Sequence, residues 1–233
     1  MNNFSRNNFL QSIPPVTRNL LIVNVMIWLV MFICEFLGGR LAAFSNHLVD
    51  LLGLHYVGSQ HFNPVQILTY MFIHDPSNPM HVLFNMFTLW MFGRTLEHVW
   101  GGRRFFLFYM VCGIGAAFVQ EAVWALSWQH DFTARIAELS HITYDHAAAI
   151  VQSGLSSGAM DAVQSSMMFK NSMITIGASG AIFGLLLGFA FIFPNMPLYL
   201  FFIPVPIKAK YMVIGYGVLE FFLGVGGSDS SVA

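Results

Sequence analysis

Long apolar runs alternate with short polar connections along this chain. Five runs, at residues 19–37, 80–96, 105–126, 176–193 and 211–225, each come close to the ~20 apolar residues that carry a helix across a ~30 Å hydrocarbon layer. A further apolar stretch, 194–206, holds four prolines and is too short to cross, so it predicts a membrane-dipping connection between the last two spans. The pattern predicts an all-α fold, a polytopic membrane helical bundle with five spans. The leader through Pro14 and Pro15 is followed by no small-residue cleavage site, which predicts a retained first helix and not a removed signal peptide.

Charge orients the bundle. Arg6, Arg18, Arg94, Arg103, Arg104, Lys208 and Lys210 flank the spans on one side, and only Arg40, Arg135 and Lys170 on the other. Short cytoplasmic segments are enriched in Lys and Arg, so the N-terminus is expected in the cytoplasm. Residues 1–18 then form a cytoplasmic segment, 19–225 the transmembrane domain and 226–233 an external tail. Two larger segments, 38–79 and 127–175, fall outside. The second carries Asp131, Glu138, Asp145 and Asp161 and reads as a pair of surface helices broken at Gly154 and Gly158.

Composition agrees with a lipid environment. Only 9% of residues are charged, against about 25% in an average soluble domain, and 56% are hydrophobic, with a mean hydropathy of +0.65. A net charge of -1 provides no basic footprint for nucleic acid. Cys34 and Cys112 sit in apolar runs, where each packs as a small hydrophobe, and no zinc-type Cys/His spacing occurs.

Polar side chains inside apolar runs are costly and need a partner or a purpose. His81 and Asn85 lie four residues apart, on one helical face, about one turn in from the outer end of the second run. Hydrogen bonding between packed helices accounts for them when they are taken alone. Ser179 opens the fourth run between glycines, and Gly177, Gly180, Gly184 and Gly188 permit close helix packing. The same glycines clear space around the Ser179 hydroxyl, which lies beside free N–H groups at a helix start; that environment suits a nucleophile. His47, His55, His61 and His74 in the first external segment, and His130, His141 and His146 in the second, read as loop histidines facing water. Glu97 and His98 read as part of an interfacial ion-pair cluster with Arg94, Arg103 and Arg104. Glu121 and Glu220 lie within spans without a partner that the sequence identifies.

Taken together, the runs Ile67-Leu68-Thr69-Tyr70-Met71-Phe72-Ile73-His74, His81-Val82-Leu83-Phe84-Asn85 continuing to Gly93 and Glu97, and Gly177-Ala178-Ser179-Gly180 resemble the rhomboid family of intramembrane serine proteases, over residues 17–225. The resemblance implies Ser179 as nucleophile within a motif that includes Gly177, and His81 and Asn85 as donors to the oxyanion. The reaction it implies is hydrolysis of a peptide bond in or beside a substrate transmembrane helix, with no cofactor. The partners expected are transmembrane protein substrates and the lipid bilayer; the expected location is a bacterial cytoplasmic membrane.

Three departures from the family pattern stand out. Phe183 stands one turn after Ser179 where the family often has Tyr, keeping a ring able to stack on an imidazole. Val65-Gln66 replaces a Trp-Arg pair. The family's general-base histidine, on a sixth span, has no counterpart, since no histidine follows Ser179. A serine without a base is barely nucleophilic, so this sequence is expected to be inactive or nearly so. The joint presence of Ser179, His81 and Asn85 favours a sequence that stops short of the sixth span over a natural pseudoprotease. A catalytically inactive rhomboid-like binder of transmembrane segments is the alternative function. A channel or small-solute transporter fits less well, for want of paired broken helices.

Overall fold

Pro14 and Pro15 set where the first helix begins, because proline suits a first helical turn that has no N–H partners. The computed structural model describes residues 12–200 and 203–226. Helix α1 (Pro15–Leu37) ends where Gly38 and Gly39 take φ values of 70° and 58°. It is followed by α2 (Gly39–Leu52), strand β1 (Leu54–His55) and the short helix α3 (Gln66–Thr69), which tightens into a 3-10 turn at Tyr70–Phe72. The second apolar run forms α4 (Pro79–Thr88), a π-helical turn (Leu89–Gly93) and α5 (Arg94–Trp100). Then come α6 (Gly102–Ser140), α7 (Tyr144–Ser157), α8 (Met160–Ser172), β2 (Ile174–Thr175), α9 (Ser179–Ile192), the strands β3 (Pro197–Leu200) and β4 (Ile203–Lys208), and α10 (Ala209–Gly226).

Two of these helices, α1 and α6, are long and apolar enough to cross a membrane by length and composition; α9 is a shorter apolar helix. Large apolar side chains cover their outer faces. Val111, Phe118, Val119 and Leu126 on α6 are all 60% exposed or more. An outside this apolar is stable only in a solvent that is itself apolar.

Inside, α9 packs antiparallel on α6 through its glycines. A Cβ at Gly180 would strike Ala116, one at Gly184 would strike Cys112, and one at Gly188 would come within 3.1 Å of Phe108. The matched spacing of four on both helices makes this a continuous seam, and it gives Cys112 its packing role. Around it lies a core that includes Met71, Leu89, Phe92, Phe105, Tyr109 and Leu185.

Several sequence expectations change. Helix α6 does not stop near residue 126 but runs on to Ser140, since no glycine or proline lies between Gly115 and Ser140 to end it. Polar residues from Ser127 onward change the helix's surroundings, not its backbone. The helix pair α7 and α8 is present, but the break falls at Gly158, at φ 67°, and Ala159, and not at Gly154. Gly154 lies within α7, where a Cβ would sit 2.7 Å from that of Ala162, so it serves the α7–α8 contact. The proline-rich connection is an antiparallel hairpin, with Pro197 opposite Lys208 and Leu198 opposite Ile207.

Glu97 is the largest correction. It joins no arginine cluster among the described residues. Buried at 4% exposure, its carboxylate accepts hydrogen bonds from the backbone N–H of Val16 (2.9 Å), the N–H of Thr17 (2.7 Å) and the Thr17 hydroxyl (2.7 Å). Pro14 offers α1 no side-chain cap, so the free N–H groups and positive end of that helix are satisfied by a carboxylate from α5. Beyond it, Trp28 Nε1 donates to the carbonyl of Asp75 at 3.0 Å, which pins α1 alongside the start of α4. Glu97→Ala is expected to lower stability by about 3 kcal/mol or more, because three donors lose a charged acceptor, with Glu97→Gln intermediate. Thermal unfolding in detergent micelles, followed by far-UV circular dichroism, measures both.

Candidate active site

The site grows from one backbone constraint. Gly177 has φ 122°, a conformation that side-chain-bearing residues rarely adopt, and a Cβ there would lie 2.9 Å from His81 Nε2 and 3.9 Å from Ser179 Oγ. Glycine is therefore needed twice, for the turn and for the space into which the imidazole fits. Immediately after that turn, Ser179 opens α9 as its first residue and is half-buried. The structure thus brings Gly177, Ser179 and His81 together.

His81 lies in the first turn of α4, and its Nε2 is buried without a hydrogen-bond partner. Asn85 follows one turn later at 7% exposure, and its amide donates one hydrogen to the His81 carbonyl at 3.0 Å. A carboxamide carries two N–H hydrogens, so a second donor is left. Phe183 stands one turn beyond Ser179 and is half-buried.

Tyr70 and His74 hold this arrangement, in positions that the sequence did not indicate. Tyr70 donates its hydroxyl to the Gly113 carbonyl of α6 at 2.7 Å, and its own carbonyl accepts the Gly177 N–H at 2.9 Å. It ties the turn before Ser179 to the helix on which α9 packs. His74, expected in water, is fully buried, with its ring 5.2 Å from that of His81 at 60°, edge to face. Neither of its ring nitrogens makes a well-formed hydrogen bond, although the Phe72 backbone lies near enough to interact. Burial holds its pKa down to about 3, with the neighbouring His81 adding to the effect and the backbone of Phe72 opposing it weakly. The signal for this burial was present: His74 directly continues an apolar run that starts at Ile67.

Elsewhere the outcomes divide. His47, His130, His141 and His146 are exposed as expected, whereas His55 is buried at 2% exposure. Glu121 gains a partner, the Val57 N–H at 2.8 Å. The side chain of Glu220, Arg6 and the tail after residue 226 lie outside the described residues. Gln66, in the place of the expected arginine, is buried and donates to the carbonyls of Asp50, Leu51 and His61.

Fold and site together define a membrane-embedded helical protein built around a serine at a helix start. The Rhomboid domain family model matches residues 61–233, and the chain belongs to the rhomboid family. Comparison with curated proteins and with solved structures finds no match to either.

His74 supplies a pH test. Unfolded histidine titrates near 6.5, so between that value and about 3 the unfolded chain binds a proton that the folded chain refuses. Stability is fully present above the unfolded value and falls as pH drops, by at most about 1.4 kcal/mol per pH unit for this one group. His74→Phe, which keeps a ring against His81, is expected to flatten the dependence of unfolding between pH 7 and pH 5.

Proposed function

We propose that this chain is the catalytic framework of an intramembrane serine endopeptidase that hydrolyses peptide bonds in or next to substrate transmembrane helices. The observation that carries the reading is the Gly177 niche, which sets the His81 imidazole beside the Ser179 hydroxyl at the start of an apolar helix. In this reading Ser179 Oγ attacks the scissile carbonyl, and the oxyanion is met by the Ser179 N–H, His81 Nε2–H and the free hydrogen of the Asn85 amide. Such preorganised donors each contribute about 3–4 kcal/mol to the transition state.

Depth supports the reading. Helix α9 has 14 residues, roughly 21 Å of helix, short of a ~30 Å hydrocarbon layer. Trp28, which holds the Asp75 carbonyl, precedes the end of α1 at Leu37 by nine residues, about 13 Å. Both measures fit a helix that starts within the membrane and places the serine below the outer surface. Backbone at that depth must find partners in protein, as Gly177 does at Tyr70. The five-span arrangement, the cytoplasmic N-terminus and access of water from the outer face belong to the same proposal.

The sequence holds no histidine after His146, and His81 is assigned to the oxyanion, so the base for Ser179 is not among the residues described. A second reading is a rhomboid-like protein that captures transmembrane segments without cleaving them. The two separate experimentally. Protein purified from its native membranes and reconstituted with a helix-destabilised transmembrane substrate is expected to cleave it. Ser179→Ala is expected to abolish cleavage, and His81→Ala or Asn85→Ala to lower kcat by about 10²–10³-fold. Substrate crosslinking without product in the unmodified protein would establish the binder, and cleavage surviving Ser179→Ala would remove Ser179 as nucleophile.

A further inference from the structure

Away from Ser179, three side chains of the first external segment converge. Asp50 lies near the end of α2, His55 on β1 and His61 in the turn beyond it. Asp50 Oδ1 is 3.1 Å from His55 Nε2 and 2.8 Å from His61 Nδ1, and the two imidazoles stand 5.2 Å apart. We propose that Asp50, His55 and His61 form a binding site for one first-row divalent transition-metal ion, Zn²⁺ foremost, which staples the first external segment.

The donor set selects the class of ion. Two imidazoles and one carboxylate suit Zn²⁺ and its neighbours, while Ca²⁺ and Mg²⁺ favour all-oxygen shells. The spacing fits as well. A tetrahedral ion with bonds of about 2.0–2.2 Å keeps neighbouring donor atoms roughly 3.3 Å apart, so the two Asp50–histidine separations open by only tenths of an ångström. His55 Nε2 also lies 3.0 Å from the Asp50 carbonyl, so coordination requires the tautomer with the ring proton on the buried Nδ1, which frees the Nε2 lone pair for the ion. All three donor atoms already lie within 4.8 Å of one another.

The scaffold is built before any ion arrives. The buried Gln66 amide oxygen accepts the His55 N–H at 3.3 Å, and its nitrogen donates to the carbonyls of Asp50 at 3.4 Å and His61 at 3.0 Å. One side chain therefore ties together the three backbone positions that bear the ligands, which lowers the ordering cost of coordination. His55 is buried, while the side chains of Asp50 and His61 are 47% and 42% exposed, so an ion can enter and a water can complete the shell.

Ligation would reach beyond the segment. His55 pairs with Ile174 across the β1–β2 ladder, and that strand leads directly into Gly177 and Ser179. An ion at His55 would stiffen the path into the serine turn. The site itself stands on its own geometry, whatever reaction Ser179 performs.

The test uses metal-free, untagged protein of the full sequence in detergent micelles, titrated with Zn²⁺ against a chromophoric chelator, with thermal unfolding measured with and without the ion. One equivalent is expected to bind and to raise the unfolding temperature, whereas Ca²⁺ and Mg²⁺ leave it unchanged. His61→Gln and Asp50→Asn, both at half-exposed positions, are each expected to weaken Zn²⁺ binding by at least about tenfold and to remove the temperature shift. Each variant is compared with its own metal-free unfolding, so that the loss of the Asp50–histidine contacts themselves does not enter the Zn²⁺-dependent shift. Failure of the unmodified protein to compete with the chelator, or unchanged competition in both variants, overturns the site.

Discussion

Tyr70 is the residue on which the serine turn depends. Its hydroxyl is bonded to the Gly113 carbonyl of α6, and its backbone carbonyl holds the N–H of Gly177. One residue thus fixes the height of the turn before Ser179 relative to the helix that α9 packs against. Nearby, a Cβ at Gly113 would strike Met71, so the 3-10 turn carrying Tyr70 and Met71 lies tight on the α6 surface. In a low-dielectric layer an unpaired amide or hydroxyl is expensive, so these bonds must be made together or the turn fails as a unit.

The two ends of the bundle solve the same problem by different means. At the α1 start, Glu97 supplies the acceptors that Pro14 cannot, and it does so from 80 residues away in sequence. At the α9 start, the backbone enters through a glycine with positive φ, and no side chain among the described residues caps the helix. One helix end is closed by a carboxylate. The other stays open, and an open helix N-terminus beside a hydroxyl is where negative charge can be stabilised.

Burial of His74 against His81 shows how the site departs from ordinary packing. Two imidazoles edge to face, with three of their ring nitrogens buried and lacking a well-formed hydrogen bond, form a costly arrangement for a core. Such local frustration is common where structure serves chemistry. The neutral state enforced on His74 keeps a positive charge away from the His81 ring.

Much of this was legible in the sequence because it follows from local pattern. The apolar runs, the His81–Asn85 face, the glycine spacing in α9 and the break at Gly158 depend on helical periodicity and on what glycine permits, and both are written residue by residue. The length of α6 was misjudged because hydropathy reports a helix's surroundings and not its end. What only the tertiary structure decided are the partnerships: Glu97 with α1, Tyr70 between Gly113 and Gly177, His74 on His81, and Gln66 beneath Asp50, His55 and His61. Each joins groups distant in sequence or in different elements. A single chain states which polar groups it must bury, but the partner that satisfies each one is chosen only when the helices close on one another.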